Sequence, residues 1–559
     1  MPGAKRSMLP AATAIAALCG GWGIVADPGQ AKPPAPAAAR TFTNPILPGM
    51  HPDPSICRVG DDFYLVTSSF EYFPGVPIFH SRDLVNWTPI GHVLTRPSQL
   101  DLGGVYSSGG IYAPTLRCNA GRFYMITTLV GSPKRNGDFF VTAPDPRGPW
   151  SDPVWLDRGE HGGFDPSLLF DDGQVYYLRD GKGPTADHPR VFQARIDPTT
   201  GALREPMRVI WEGTGGIWPE GAHVYRMKGR YYLFAAEGGT EYGHAEMVGR
   251  SASPYGPFEP SPHNPALTHR DRRDHPIQAT GHADLVELDD GTTWAVFLGI
   301  RPRGGAFHHL GRETFLAPVR FSDDGWPTIG DGGRVELRMP APALPAGPAP
   351  APAGLDDFDG AALGPAWNFV RTPNPADVSL SARPGFLRVI GSAATLTDVA
   401  SPAAIVRRQQ HFRVHCSTAL EFAPHEINEE AGLTVRASDA FHYDLAVRRT
   451  VSGPGREAVL TSHVAGVSNV VGRAPLGDGV VGLEVVADET SYTFNVAVGK
   501  AKSQRVGALP TRALSAEEIS KRGRHHFTGA MIGLYATGNG RPSTTPAAFD
   551  WFLYAPDDN

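Results

Sequence analysis

The sequence predicts an all-β protein, a five-bladed β-propeller followed by a β-sandwich. Three observations carry that prediction. One hairpin pattern recurs five times at even intervals between residues 53 and 296, a Pro/Ala tract then interrupts the chain, and short alternating strands resume beyond it. Composition agrees, because 65 Gly and 53 Pro in 559 residues favour tight turns between short strands over long helices.

Residues 1–31 have the three-part layout of a secretory signal: Lys5 and Arg6, the apolar stretch Met8 to Leu18, and small residues near Ala26 and Ala31. Residues 32–40 are a Pro/Ala-rich spacer, so a secreted or periplasmic destination is expected. No later apolar run is long enough for a membrane anchor. Cys57, Cys118 and Cys416 then remain, an odd number at wide spacing that fits neither a disulfide framework nor a zinc pattern; a Cys57–Cys118 bridge is the one pairing to look for.

The propeller is read over residues 41–339. Its repeats are DPSICRVGDDFYL from Asp53, APTLRCNAGRFYM from Ala113, DPSLLFDDGQVYYL from Asp165, GAHVYRMKGRYYL from Gly221 and HADLVELDDGTTWAV from His282. Each has an aliphatic residue three places after its start, then a turn, then an aromatic or β-branched strand. The intervals leave room for about four short strands plus loops, one propeller blade per repeat. Residues 340–355 contain the tract PAPALPAGPAPAP, a semi-rigid linker that cannot supply a sheet ladder. Residues 356–559 show recurring short strands such as FLRVI at Phe386 and read as the sandwich.

Function follows from where the acids fall. The formal charge of -6 offers no basic field, which argues against nucleic acid or anionic lipid and towards a neutral partner. In a propeller the first residues of the innermost strands gather at one end of the axis, so equivalent repeat positions become neighbours. Asp53, Asp165 and His282 stand at repeat starts and Glu220 one place before its own. Carboxyls brought together and partly desolvated repel one another as anions, which raises at least one pKa and lets an acid and a base coexist near neutral pH. Glycoside hydrolysis needs that pair. An Asp-Pro turn alone would only cap backbone amides; three acids at matched positions ask for more. Trp218 and Pro219 crowd Glu220, which favours a protonated general acid. His282 reads either as a hydrogen-bonded core imidazole or as one facing a structural Ca2+ on the axis; no organic cofactor is called for.

The lettering also resembles a known family. NPILPGMHPDPS at Asn44, SSFEYFPGVP at Ser68, SGGIYAP at Ser108, GFDPSL at Gly163, WPEGAHVY at Trp218, AEGGTEYGH at Ala236, GHADLVE at Gly281 and LGRET at Leu310 are similar to glycoside hydrolase family 43, in its β-xylosidase and α-L-arabinofuranosidase branch with a C-terminal sandwich. FTGA at Phe527 and AFDWFLY at Ala548 match that sandwich, and the resemblance implies that it is concanavalin-like. The resemblance implies that Asp53 is general base, Asp165 the carboxylate that orients and tunes the acid, and Glu220 general acid, in an inverting displacement. It assigns sugar contacts to Phe70, Tyr112, Thr240, His282 and Arg301. Tyr112 stands where many β-xylosidases have Trp, Thr115 where Asp commonly follows Ala-Pro, and the segment Arg301 to His309 is short. The expectation is an exo-acting enzyme that releases terminal β-D-xylose, or α-L-arabinofuranose, from xylo-oligosaccharides or arabinoxylan fragments, β-xylosidase leading. A non-catalytic carbohydrate-binding propeller is the rival of another class, and the retained acids argue against it.

Overall fold

The computed structural model describes residues 40–157, 162–182, 188–349, 354–523 and 525–557. The signal segment and most of the N-terminal spacer lie outside these residues.

Five four-stranded antiparallel sheets, each from one contiguous stretch of chain, form the blades. Their innermost strands are Ser55–Val59, Gly110–Asn119, Ser167–Asp171, Glu220–Met227 and Gln278–Glu287. The fourth blade gains a short fifth strand, Leu267–Thr268. Thr41–Thr43 pairs with Arg338–Pro340, and the Asn44 side chain donates to the Leu316 carbonyl at 3.0 Å, so the start of the described chain is tied to the last blade.

The repeat has a backbone signature. The residues that open it, Asp53, Ala113, Asp165, Gly221 and His282, all have left-handed φ, of 53°, 33°, 51°, 59° and 55°. Only glycine adopts that region freely, and other residues hold it at a cost of about 1 to 3 kcal/mol when the surrounding structure over-determines it. Register shifts straddle three of the five positions, between Tyr112 and Thr115, Glu220 and His223, and Gly281 and Asp284. Each repeat thus opens with the same kink, whether just before its inner strand, as at Asp53, or within it, as at Ala113 and His282.

Below these kinks a buried polar network joins all five blades. Asp284 accepts from Ser55 Oγ, from the Ile56 amide at 3.1 Å, from Arg117 at 2.7 Å and from the Tyr225 hydroxyl. Arg117 also reaches His223 Nδ1 at 3.0 Å, which Ser167 Oγ contacts at 2.7 Å. Burial opposes the Asp284 carboxylate, but Arg117 overrides it and holds the group well below the usual range. A buried pair is retained only when its remaining lone pairs and protons are satisfied, as here. Thr115, which departs from the family pattern, is also satisfied, donating to the Pro166 carbonyl at 2.8 Å.

The sandwich consists of two eight-stranded sheets. One of them takes its edge strand from the propeller: Tyr72–Phe73, out of the first blade's SSFEYFPGVP segment, pairs with Asn368–Val370. Apolar packing of Met50, Phe70 and Tyr72 against Val406, Met531 and Tyr535 continues that join. The described part of the linker is not a free spacer, since Leu344 packs on the propeller core and the Gly347 amide donates to Asp83 at 2.7 Å. Among the described residues the helical elements are the short turns Thr511–Leu514 and Ala516–Ser520, and no helix is long and apolar enough to cross a membrane. Cys57, Cys118 and Cys416 are free thiols, so the bridge between the first two is not formed.

Candidate active site

The five kinks surround a cavity of about 680 Å³, within the range of small-ligand pockets. Asp53, Asp165, Glu220 and His282 all line it. Their convergence follows from the repeat, since, Ala113 apart, the left-handed residue that opens each repeat is one of these acids or the imidazole, or, at Gly221, directly follows Glu220. Glycine is required beside them. A Cβ at Gly221 would lie 2.7 Å from the His282 ring, and one at Gly110 2.1 Å from the Phe70 carbonyl oxygen. The motifs WPEG and SGG therefore mark close approaches at the pocket wall.

Asp53 is buried and held from two sides: Ser68 Oγ donates to Oδ2 at 2.6 Å, and Arg312 donates to Oδ1 at 2.9 Å. His282 Nδ1 lies 3.7 Å from the same Oδ1. Burial pulls the His282 pKa down, partly offset by Asp53, so the imidazole is neutral near pH 7. Asp165 is raised well above the ordinary carboxyl value by burial and then by Asp180 and Asp53, with Arg312 opposing. Glu220, which keeps a partly exposed edge, is pushed up to about 8 by burial and then by Asp165, again against Arg312. The cavity therefore holds a carboxyl that is mostly protonated at pH 7 beside a carboxylate fixed by a guanidinium, the pairing required of an acid and a base.

The sugar-contact expectations divide. Phe70, Tyr112, Thr240 and His282 line the cavity. Phe70 and Tyr112 meet edge to face at 5.3 Å, and the Tyr112 hydroxyl donates to the Ser108 carbonyl at 2.5 Å, which leaves its ring as an apolar wall. Arg301 is a correction. It forms a two-pronged pair with Glu313, at 2.7 and 2.8 Å, lies over Phe412 and does not line the cavity. Glu313 is fully buried and captures this guanidinium, so the arginine that reaches the pocket is Arg312, bonded to Asp53 and, at 3.0 Å, to Thr240 Oγ1. For a Ca2+ ion on the axis the protein donors are few. His282 offers one imidazole, while Asp53 is committed to Arg312 and Ser68, and Asp284 below to Arg117. A hydrated cation there would take most of its six to eight oxygens from water, and no step is derived through one.

Two contributors besides Arg312 were not anticipated as site residues. Phe527, from the sandwich, lies near-parallel to Phe70 at 6.2 Å and edge-on to Tyr112 at 5.9 Å, with Arg312 over its ring at 5.4 Å. Its amide donates to Ser108 Oγ at 3.1 Å, which fixes it across the domain boundary. Asp180, next to last on the second strand of blade three, also lines the cavity. It accepts from the Phe164 amide at 3.1 Å, and burial raises its pKa well above the usual range, with Arg179 opposing and Glu220 adding to the rise. Carboxyls so coupled lose protons in shared steps, and each retained negative charge delays the last ionisation.

Residues 42–327 match the family model described as "Glycosyl hydrolases family 43", and residues 355–555 match "Beta xylosidase C-terminal Concanavalin A-like domain". The chain is 47% identical over 518 residues to a non-reducing end alpha-L-arabinofuranosidase of Bacteroides ovatus, covering 92% of this chain and 95% of the relative. It is 34% identical to a beta-xylosidase of Bacillus subtilis, covering 92% and 99%. Among solved structures, a Bacteroides ovatus xyloglucan PUL protein superposes with a TM-score of 0.88 at 46% identity, over 92% of this chain and all of the other. A xylan beta-1,4-xylosidase from Bacillus halodurans gives 0.87 at 36%, with the same coverage.

Proposed function

The chain belongs to glycosyl hydrolase family 43, and on that premise we propose that it removes terminal pentoses from xylan-derived or related oligosaccharides by inversion, with Glu220 as general acid, Asp53 as general base and Asp165 as the group that tunes and orients the acid. One observation carries the roles: three carboxyls share a cavity in which Glu220 is held protonated and Asp53 is held by donors. In a single inverting displacement the acid protonates the leaving oxygen while the base activates a water on the opposite face, which asks for carboxyl groups roughly 6.5 to 9.5 Å apart. The enzyme is an exo-acting glycoside hydrolase, and the roof contributed by Phe527 supports a pocket that takes a chain end.

Two readings of the preferred sugar have support. Relatives at 34–36% identity are named β-xylosidases, in line with the expectation from the sequence. The relative at 47% is named a non-reducing end α-L-arabinofuranosidase, and Tyr112 in place of Trp gives the cavity a smaller aromatic face. We adopt α-L-arabinofuranose as the preferred sugar, with β-D-xylose also accepted. Parallel turnover of the two nitrophenyl pentosides should give the larger kcat/KM for the arabinofuranoside, and proton NMR of the first product should show the inverted anomer. Retention in that spectrum removes the single-displacement roles; a xyloside preference removes only the choice of sugar. An exported destination remains part of this proposal, resting on the N-terminal residue pattern, and the N-terminal sequence of the protein recovered outside the cytoplasm tests it.

A further inference from the structure

Away from the cavity, three metal-ligating side chains of the sandwich converge where no sugar chemistry uses them. His442 and Asp444 stand two residues apart on the strand Phe441–Arg449, and His463 lies opposite His442 on the strand Arg456–Val464. The intervening Tyr443 and the next residue, Leu445, belong to the core of the sandwich, so period-two alternation puts His442 and Asp444 on the other face of the sheet. His442 Nδ1 lies 2.8 Å and His463 Nε2 3.3 Å from the same Asp444 Oδ2, and the three ligand atoms all fall within 4.8 Å of one another. The rings stack at 4.2 Å with planes 15° apart.

We propose that His442, Asp444 and His463 form a binding site for one divalent transition-metal ion, with Zn2+ the best match. A tetrahedral ion with bonds of about 2.1 Å holds its ligand atoms about 3.4 Å apart; the contacts to Asp444 Oδ2, at 2.8 and 3.3 Å, approach that spacing from below, and the two imidazole nitrogens lie within 4.8 Å of each other. Two imidazoles and one carboxylate suit zinc and its neighbours in the transition series, and not Ca2+, which would demand oxygens. The outer partners of a ligand set are present. Thr434 Oγ1 donates to Asp444 Oδ1 at 2.7 Å, leaving Oδ2 for a metal, and Ser468 Oγ lies 2.8 Å from His463 Nδ1, leaving Nε2. His442 and Asp444 are buried, while the His463 side chain is 17% exposed and gives the ion its access and room for a water as fourth ligand. Bound there, the ion would pin two neighbouring strands of the sheet that also receives Tyr72–Phe73 from the propeller.

The full chain, stripped with a chelator and titrated with Zn2+ alone in a calorimeter, should bind one equivalent at micromolar concentration or tighter, and Co2+ should give the visible absorption of a tetrahedral site. Zinc at a hundredfold excess over Kd should raise Tm by roughly 2 to 3 °C if the domains melt together. His463→Gln, at the exposed ligand, should abolish the binding and the Tm response while pentoside turnover stays at the wild-type value. Asp444→Asn is the second variant and should behave alike. Absence of stoichiometric zinc binding by the wild type, or equal binding by both variants, overturns the site and leaves a His–Asp–His hydrogen-bond cluster.

Discussion

Glu220→Gln is expected to lower kcat on unactivated pentosyl oligosaccharides by about 10³ to 10⁴-fold, at the upper end of what a positioned acid contributes. The amide keeps the size of the side chain but has no proton to give, so the sugar alkoxide must leave unprotonated. A nitrophenolate leaves readily without help, so the same variant should lose far less on the nitrophenyl pentoside. Its alkaline limb should also disappear, because the group pushed up to about 8 by burial and by Asp165 is then absent. In the wild type the sign runs the same way: the acid works while protonated, so activity falls as pH rises through about 8. Equal losses on both substrates would take the acid role away from Glu220.

What the sequence disclosed and what it hid divide along physical lines. The blades were legible because the hairpin repeats, and the kink that opens each one recurs as five left-handed φ values from Asp53 to His282. That same kink aims Asp53 and Asp165 inward, so repeat alignment alone brought the acids together. Asp180 escaped because it stands next to last on the second strand of its blade, where alignment on the strand starts places nothing. Arg312 lay in plain sight within LGRET, but nothing in the letters says which of Arg301 and Arg312 a buried Glu313 will capture. Phe527 is separated from Phe70 by more than 400 residues, and only packing of two domains juxtaposes them. Tyr72–Phe73 read as part of a propeller motif and proved to be an edge strand of the other domain. Local periodicity predicts elements; contacts between separately coded domains leave no periodic trace.

Asp53→Asn should cost about 10³ to 10⁴-fold in kcat on both kinds of substrate, about 4 to 5.5 kcal/mol of barrier. Water must be activated whatever group leaves, so the nitrophenyl pentoside gives no relief here, in contrast to Glu220→Gln. Two effects compete in this variant. Asparagine can keep its one carbonyl oxygen as acceptor for Arg312 and turn its amide N–H towards Ser68 Oγ, which keeps the side chain in place. Its neutrality, however, leaves the Arg312 charge without its carboxylate, and Asp53 is one of the charges that hold Glu220 up while Arg312 pulls it down. The residual activity should therefore show an alkaline limb displaced to lower pH. Pentose binding should survive, since the walls made by Phe70, Tyr112 and Phe527 carry no charge and are untouched. Near-normal turnover of the nitrophenyl pentoside by a folded Asp53→Asn protein would exclude Asp53 as the base, and an unmoved limb in what activity remains would show that the charge pairing across the cavity does not reach Glu220.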